Sequence, residues 1–215
     1  MSKLILGAVL YEGFELLDMF GPLEMFTALP PDVFEVVMIA ENKGSVRAGS
    51  MAGAAMPTVN ADYDFQDAPA LDLILVPGGV GTIPELENQA MLDFLASRSK
   101  AAKITASVCS GSALLAKAGV LDGHRATSNK QVFLLASSSS DKVDWQERAR
   151  WVDDGPVVTS SGVSAGMDMA LAIIQRLFDE KTAEAIADGA EYTWHRDADE
   201  DPFADQLNAM AQILQ

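Results

Sequence analysis

Two residues stand where they could do chemistry: a thiol at a sharp turn and a carboxylate inside an apolar helical run. Cys109 is the sole cysteine of the chain and lies in Ser107-Val108-Cys109-Ser110-Gly111. The segment joins a strand-like run to a helix-like run, with small residues on both sides of the sulfur. This is the layout of a nucleophile elbow, with Ser107 where the usual pattern has Gly. Such a turn pushes the side chain outward. It also places sulfur at a helix N-terminus, where unpaired N–H groups and the helix dipole favour a thiolate. A buried structural cysteine is the bland alternative, because Cys packs as a small hydrophobe. The turn favours the reactive reading.

Asp18 sits in Leu16-Leu17-Asp18-Met19-Phe20-Gly21-Pro22. Charged residues are almost never fully buried without a partner, so a carboxylate here is out of place. An apolar pocket would raise its pKa and let it hold a proton that it shares with sulfur. Glu12 and Glu15 read as ordinary solvated neighbours. Pro77-Gly78-Gly79-Val80-Gly81 follows a strand, and the N–H groups of Gly78 and Gly79 are candidates for lining an anion pocket. A tight strand-to-helix turn accounts for the same glycines. The segment lacks the G-x-G-x-x-G of a dinucleotide site.

Asn129 ends the Ala126-Thr127-Ser128 run and reads first as a helix cap, second as a site residue. His124 and His195 fall in segments that end away from the expected active edge, so a Cys–His pair is weakly supported. Met167 and Met169 are most simply core.

The elements that must position these residues alternate between strand and helix. Strands are expected at Lys3–Tyr11, Phe34–Ala40, Leu71–Val76, Ala101–Val108, Arg125–Ser128, Trp151–Asp153 and Val157–Ser160. Helices are expected at Phe14–Leu29, Pro84–Ser99, Ser110–Ala118, Asn129 to about Ala136, Ser164–Phe178 and Lys181–Tyr192. Gly44–Asn60 reads as short antiparallel strands or a hairpin, and Arg196–Asp205 as an irregular, exposed acidic tail. Near-continuous apolar strands point to a mostly parallel sheet covered on both faces. In such a sheet the site lies at the carboxyl ends of the strands. One α/β domain over 1–195 with an acidic extension over 196–215 is expected.

The 215 residues carry 31 Asp and Glu against 15 Lys and Arg, a net charge of −16. That balance opposes nucleic acid and anionic membranes as partners, since both demand clustered Lys and Arg. One cysteine allows no intramolecular disulfide, and two histidines make a His-rich metal site unfavoured. No stretch approaches the roughly 20 apolar residues of a membrane span, and no signal-peptide cleavage pattern follows Lys3. A cytoplasmic protein is the default expectation, and a free thiol suits a reducing compartment.

Taken together these segments resemble the ThiJ/PfpI superfamily, a branch of the class I glutamine-amidotransferase-like fold. The carriers are Asp18-x-x-Gly21-Pro22, Val76-Pro77-Gly78-Gly79, Ser107 to Ser112, Gly119 to Gly123 with Arg125-Ala126-Thr127, and Ser160-x-Gly162-x-x-Ala165-Gly166-x-Asp168. The resemblance implies a three-layer flavodoxin-like sandwich, usually a homodimer. It implies Cys109 as nucleophile and Asp18 as acid/base partner. The hydroxyl beside the cysteine, Thr in the commoner pattern, is Ser110 here. Gly78, Gly79 and Asn129 would contact substrate or a developing anion. Ser110 replaces the His of the family's proteases, and Asn129 stands where many relatives have His. The implied reaction is hydration of an isonitrile to an N-substituted formamide, needing no metal or organic cofactor. A glyoxalase- or deglycase-like enzyme and a cysteine-based redox or small-molecule sensor are the competing readings.

Overall fold

The computed structural model describes residues 3–50, 53 and 55–210. Three positions of the expected Gly44–Asn60 hairpin (51, 52, 54) and residues 211–215 of the extension lie outside the described residues. β1 (Leu4–Val9) leads to α1 (Leu16–Thr27), β2 (Phe34–Ala40), the strands β3 (Gly44–Arg47) and β4 (Thr58–Ala61), and the short β5 (Tyr63–Asp64). Next come β6 (Leu73–Val76), α2 (Thr82–Glu85), α3 (Gln89–Ser99), β7 (Ile104–Val108) and α4 (Gly111–Lys117). The remainder comprises β8 (Arg125–Ala126), α5 (Phe133–Ser137), β9 (Asp144–Trp145), β10 (Trp151–Asp154), β11 (Val157–Ser160), α6 (Ala165–Leu177) and α7 (Glu180–Gly189).

Seven strands form the central sheet in the order β10-β11-β7-β6-β1-β2-β5. All neighbours pair in parallel except β10 and β11, which form a hairpin at one edge. Every residue of β6, β7 and β11 is buried, the pattern of strands covered on both faces. The step from β1 to β2 moves one way along the sheet and the step from β6 to β7 moves the other. Right-handed crossovers therefore put α1 and α3 on opposite faces. α1 packs against α6, and α6 against α7, while α3, α4 and α5 are neighbours on the second layer. This is the flavodoxin-like sandwich expected. The apolar stripe of α6, including Leu171, Ile173 and Ile174, is fully buried. Each such side chain contributes on the order of 1.5–3 kcal/mol of transfer free energy.

The departures from expectation have local causes. Pro84–Ser99 is two helices, because the Asn88 side chain accepts from Ala90 N at 3.1 Å and Met91 N at 3.4 Å and starts a new one. β5 and β9 have two residues each, too few for a periodic signal. α5 begins at Phe133 rather than just after Asn129. The tail from Arg196 to Asp205 is irregular as expected, but it is not wholly exposed: Asp201 and Ala204 are buried. Its backbone is tied to the body by Arg150 N to Ala198 O at 2.8 Å and Asp201 N to Arg148 O at 2.8 Å. No helix among the described residues is long and apolar enough to cross a membrane.

Candidate active site

The carboxyl ends of β1, β6, β7 and β11 converge on Cys109. β7 ends at Val108 and α4 begins at Gly111, so the chain must reverse within two residues. Cys109 takes φ = +59°, a left-handed conformation that costs a non-glycine residue about 1–3 kcal/mol. The surroundings hold it there. Its N–H donates to Ser161 O at 3.0 Å, and its carbonyl accepts from the hydroxyls of Ser112 and Ser128, both at 3.1 Å. The side chain is 7 % exposed and faces a cavity of about 200 Å³.

Asp18, in the first turn of α1, is fully buried behind the thiol and does not line the cavity. Its Oδ2 accepts from Gly78 N at 2.8 Å, while its Oδ1 has no hydrogen-bond partner among the described residues. Burial pushes the carboxyl up to about 7, against the pull of the Gly78 N–H and the thiol. The expected rise in its pKa is therefore present.

The thiol departs from expectation. Burial first, and the Asp18 charge second, push Cys109 up. The Asn129 amide and the N–H groups of Ser110 and Val163 act the other way without prevailing. A helix terminus favours a thiolate, but desolvation next to a carboxylate outweighs it. The proton shared by the pair thus resides on sulfur above neutral pH.

Gly78 and Gly79 lie where expected, but their N–H groups do not face the cavity as free donors. Gly78 N is committed to Asp18, and Gly79 N donates to Ser110 Oγ at 3.1 Å. A Cβ on Gly78 would fall 2.6 Å from both Ser110 N and Ser110 Oγ, so only glycine allows this approach. Gly79 adopts φ = +129°, open to glycine alone. Asn129 is not the cap of α5, whose N-cap is Val132, but it braces the turn before that helix and touches the thiol. Its Oδ1 accepts from Gln131 N at 2.8 Å and its Nδ2 donates to Cys109 Sγ at 3.0 Å.

A family model described as DJ-1/PfpI matches residues 5–176. The chain belongs to the DJ-1/PfpI family. Among curated relatives, it is 35% identical over 189 residues to an isonitrile hydratase of Pseudomonas putida, covering 87% of this chain and 78% of that protein. It is 30% identical over 169 residues to the deglycase TK1284 of Thermococcus kodakarensis, covering 77% of this chain and 89% of that one. Among solved structures, a ThiJ/PfpI family protein from Pseudomonas syringae superposes with a TM-score of 0.81 at 28% identity, covering 100% of this chain and 87% of the other.

Within this DJ-1/PfpI site, neither histidine lines the cavity. His124 Nδ1 pairs with Asp154 Oδ2 at 2.7 Å, and His195 Nε2 lies 3.2 Å from Glu200 O. Sequence reasoning missed Val163, whose left-handed backbone (φ = +40°) turns its N–H toward sulfur. It missed the hydroxyls of Tyr11 and Thr82 behind Ser110. It also missed the apolar walls: Val80, Ile83, Val132, Leu135, Val163 and Met210. Met210 arrives from the tail, fixed by Asn208 N to Lys130 O at 2.7 Å and Met210 N to Gln131 O at 2.9 Å. A larger hollow of about 690 Å³ between the end of α1 and α7 carries neither thiol nor histidine.

Asp168, from the C-terminal motif, has a structural place. Arg150 Nε donates to its Oδ2 at 2.7 Å and Arg150 Nη2 lies 2.6 Å from the same oxygen, both side chains buried. Its Oδ1 accepts from Tyr192 Oη at 3.0 Å and His195 N at 2.9 Å. The cluster ties α6 to the hairpin edge and to the chain leading into the tail.

Proposed function

We propose that this chain hydrates a small apolar isonitrile to the N-substituted formamide, with Cys109 as nucleophile and Asp18 as proton carrier. One observation carries the reading. A buried carboxyl held at about 7 stands behind the chain's one thiol, at the base of a cavity whose walls are mostly apolar. A base with a pKa near the working pH is best matched to moving a proton in both directions. The 35% identical hydratase of Pseudomonas putida supports the same reading.

Sulfur attacks the terminal carbon of R–N≡C. The S–H proton passes to the Asp18 carboxylate as the C–S bond forms and is delivered to that same carbon. The product is a thioimidate, R–N=CH–S–Cys109. Water then adds at the carbon as Asp18 takes one of its protons and passes it to nitrogen. The C=O bond forms, the C–S bond breaks, and the second water proton returns to the Asp18–Cys109 pair. The sum is R–N≡C plus water giving R–NH–CHO. Asn129 Nδ2 and the N–H groups of Ser110 and Val163 steady negative charge on sulfur as it attacks and as it leaves. The steps call on no metal or organic cofactor.

The test is formamide formation from cyclohexyl isonitrile, with Cys109→Ala as control. Turnover by the native protein and none by the variant is expected. Consumption of methylglyoxal without formamide formation would replace this reading with the deglycase-like one that the Thermococcus kodakarensis relative raises.

A further inference from the structure

Ser110 belongs to a chain of hydroxyl groups in which the position of every proton follows by elimination. Tyr11 Oη donates to Pro77 O at 2.6 Å. A carbonyl has no proton to give, so the single phenolic proton is spent there. Tyr11 Oη also lies 3.0 Å from Thr82 Oγ1, and that contact must then use the Thr82 proton. Thr82 Oγ1 lies 2.9 Å from Ser110 Oγ, and that contact must use the Ser110 proton. Gly79 N–H fills one lone pair on Ser110. Tyr11, Thr82 and Ser110 are 4 %, 0 % and 4 % exposed, so bulk water does not reset the direction.

We propose that Tyr11 and Thr82 are positioning residues that turn the Ser110 hydroxyl into an acceptor at the cavity wall. Its proton points back toward Thr82, one lone pair is taken by Gly79, and one lone pair remains. Ser110 lines the cavity beside Cys109, so it receives a hydrogen bond from what sits there and does not give one. Resting on the hydration reading above, the group it receives is an O–H of the attacking water. That contact aims the water oxygen at the thioimidate carbon while Asp18 takes the other proton. Ser110 itself gains and loses none.

Thr82→Val removes the acceptor for the Ser110 proton and frees the hydroxyl to turn into the cavity. With cyclohexyl isonitrile, this variant is expected to lose at least tenfold in kcat, with KM falling alongside it and kcat/KM little changed. The thioimidate, seen as added mass on Cys109, should accumulate because its breakdown is slowed. Thr82→Ser keeps a hydroxyl and should recover most of the rate, which a merely space-filling role for Thr82 would not explain. Neutron diffraction of the deuterium-exchanged protein reads the direction itself: deuterium on Ser110 Oγ aimed at Thr82, on Thr82 at Tyr11, on Tyr11 at Pro77 O. A reversed order, or unchanged breakdown in Thr82→Val, overturns the proposal. The expected deuterium order in a protein that does not turn over isonitriles would overturn the hydration reading and the water-aiming role, and leave the orientation of Ser110 standing.

Discussion

The Asn129 amide bridges two parts of the site: its Nδ2 donates to Cys109 Sγ at 3.0 Å while its Oδ1 accepts from Gln131 N at 2.8 Å. The backbone donor fixes which end of the amide meets the sulfur. A hydrogen bond to a charged group is worth about 1.5–3 kcal/mol, enough to shift thiolate formation by tenfold or more. Asn129→Asp places an acceptor-only group against sulfur and adds like charge. The rate of Cys109 alkylation by iodoacetamide at pH 8 should drop at least tenfold. Unchanged alkylation would remove Asn129 from any part in sulfur chemistry.

Asp18 should make stability depend on pH in the direction opposite to a surface carboxylate. Its folded value of about 7 lies above the ordinary 3.8, so the folded chain keeps a proton that the unfolded chain has lost. Stability therefore declines as pH rises from about 4 to about 7 and levels off above. The full gap corresponds to about 4 kcal/mol. Asp18→Asn should melt higher than the native protein at pH 8, match it near pH 4, and turn over no isonitrile. Thermal denaturation across pH 4 to 8.5 checks this, and an unaltered pH slope in the variant would contradict it.

Gly78→Ala tests the closeness of the loops. The new Cβ would meet Ser110 N and Oγ at 2.6 Å and Asp18 Oδ2 at 2.9 Å. The first is backbone and the other two are held by hydrogen bonds, so the loop after β6 must move. Overpacking of this kind costs about 1–3 kcal/mol. The expected result is a modest fall in melting temperature with a loss of turnover out of proportion to it.

Asp168→Asn should destabilise the fold rather than slow the chemistry. It removes the charge that meets Arg150 and, among the described residues, leaves Asp201, with Nη1 to Oδ1 at 3.8 Å, to face the buried guanidinium. Breaking such a pair from one side costs about 3–5 kcal/mol. Urea denaturation should show the loss. A joint change of Arg150 and Asp168 to Met and Leu should recover only part of it, because both charges of the pair are gone while buried Asp201 loses its arginine.

What could be read before the structure was known divides along physical lines. Phe34–Ala40 was legible to the residue, because a buried parallel strand is a continuous apolar run between breakers. The elbow was legible because small residues flank a cysteine at a strand end. Asp18 was legible because a carboxylate among Leu, Met and Phe is chemically out of place. The direction of the Cys109 shift was not, since it depends on how deeply the sulfur is covered and on a carboxylate far away in the chain. Nor were Tyr11 and Thr82, whose hydroxyls meet although they stand 71 positions apart. Gly78 and Gly79 stood out as glycines that let a ligand come close, whereas the close approach at Gly78 is to Ser110, and the two N–H groups are held by Asp18 and Ser110.

The segment that brings Met210 to the cavity lies past residue 176, where the family match ends. The wall of the cavity is thus supplied in part from beyond the residues that the family model matches. A substitution at Met210 resizes the cavity mouth while the elbow, the sheet and the proton-bearing pair stay untouched. Relatives with one and the same chemistry could in this way diverge in what they accept.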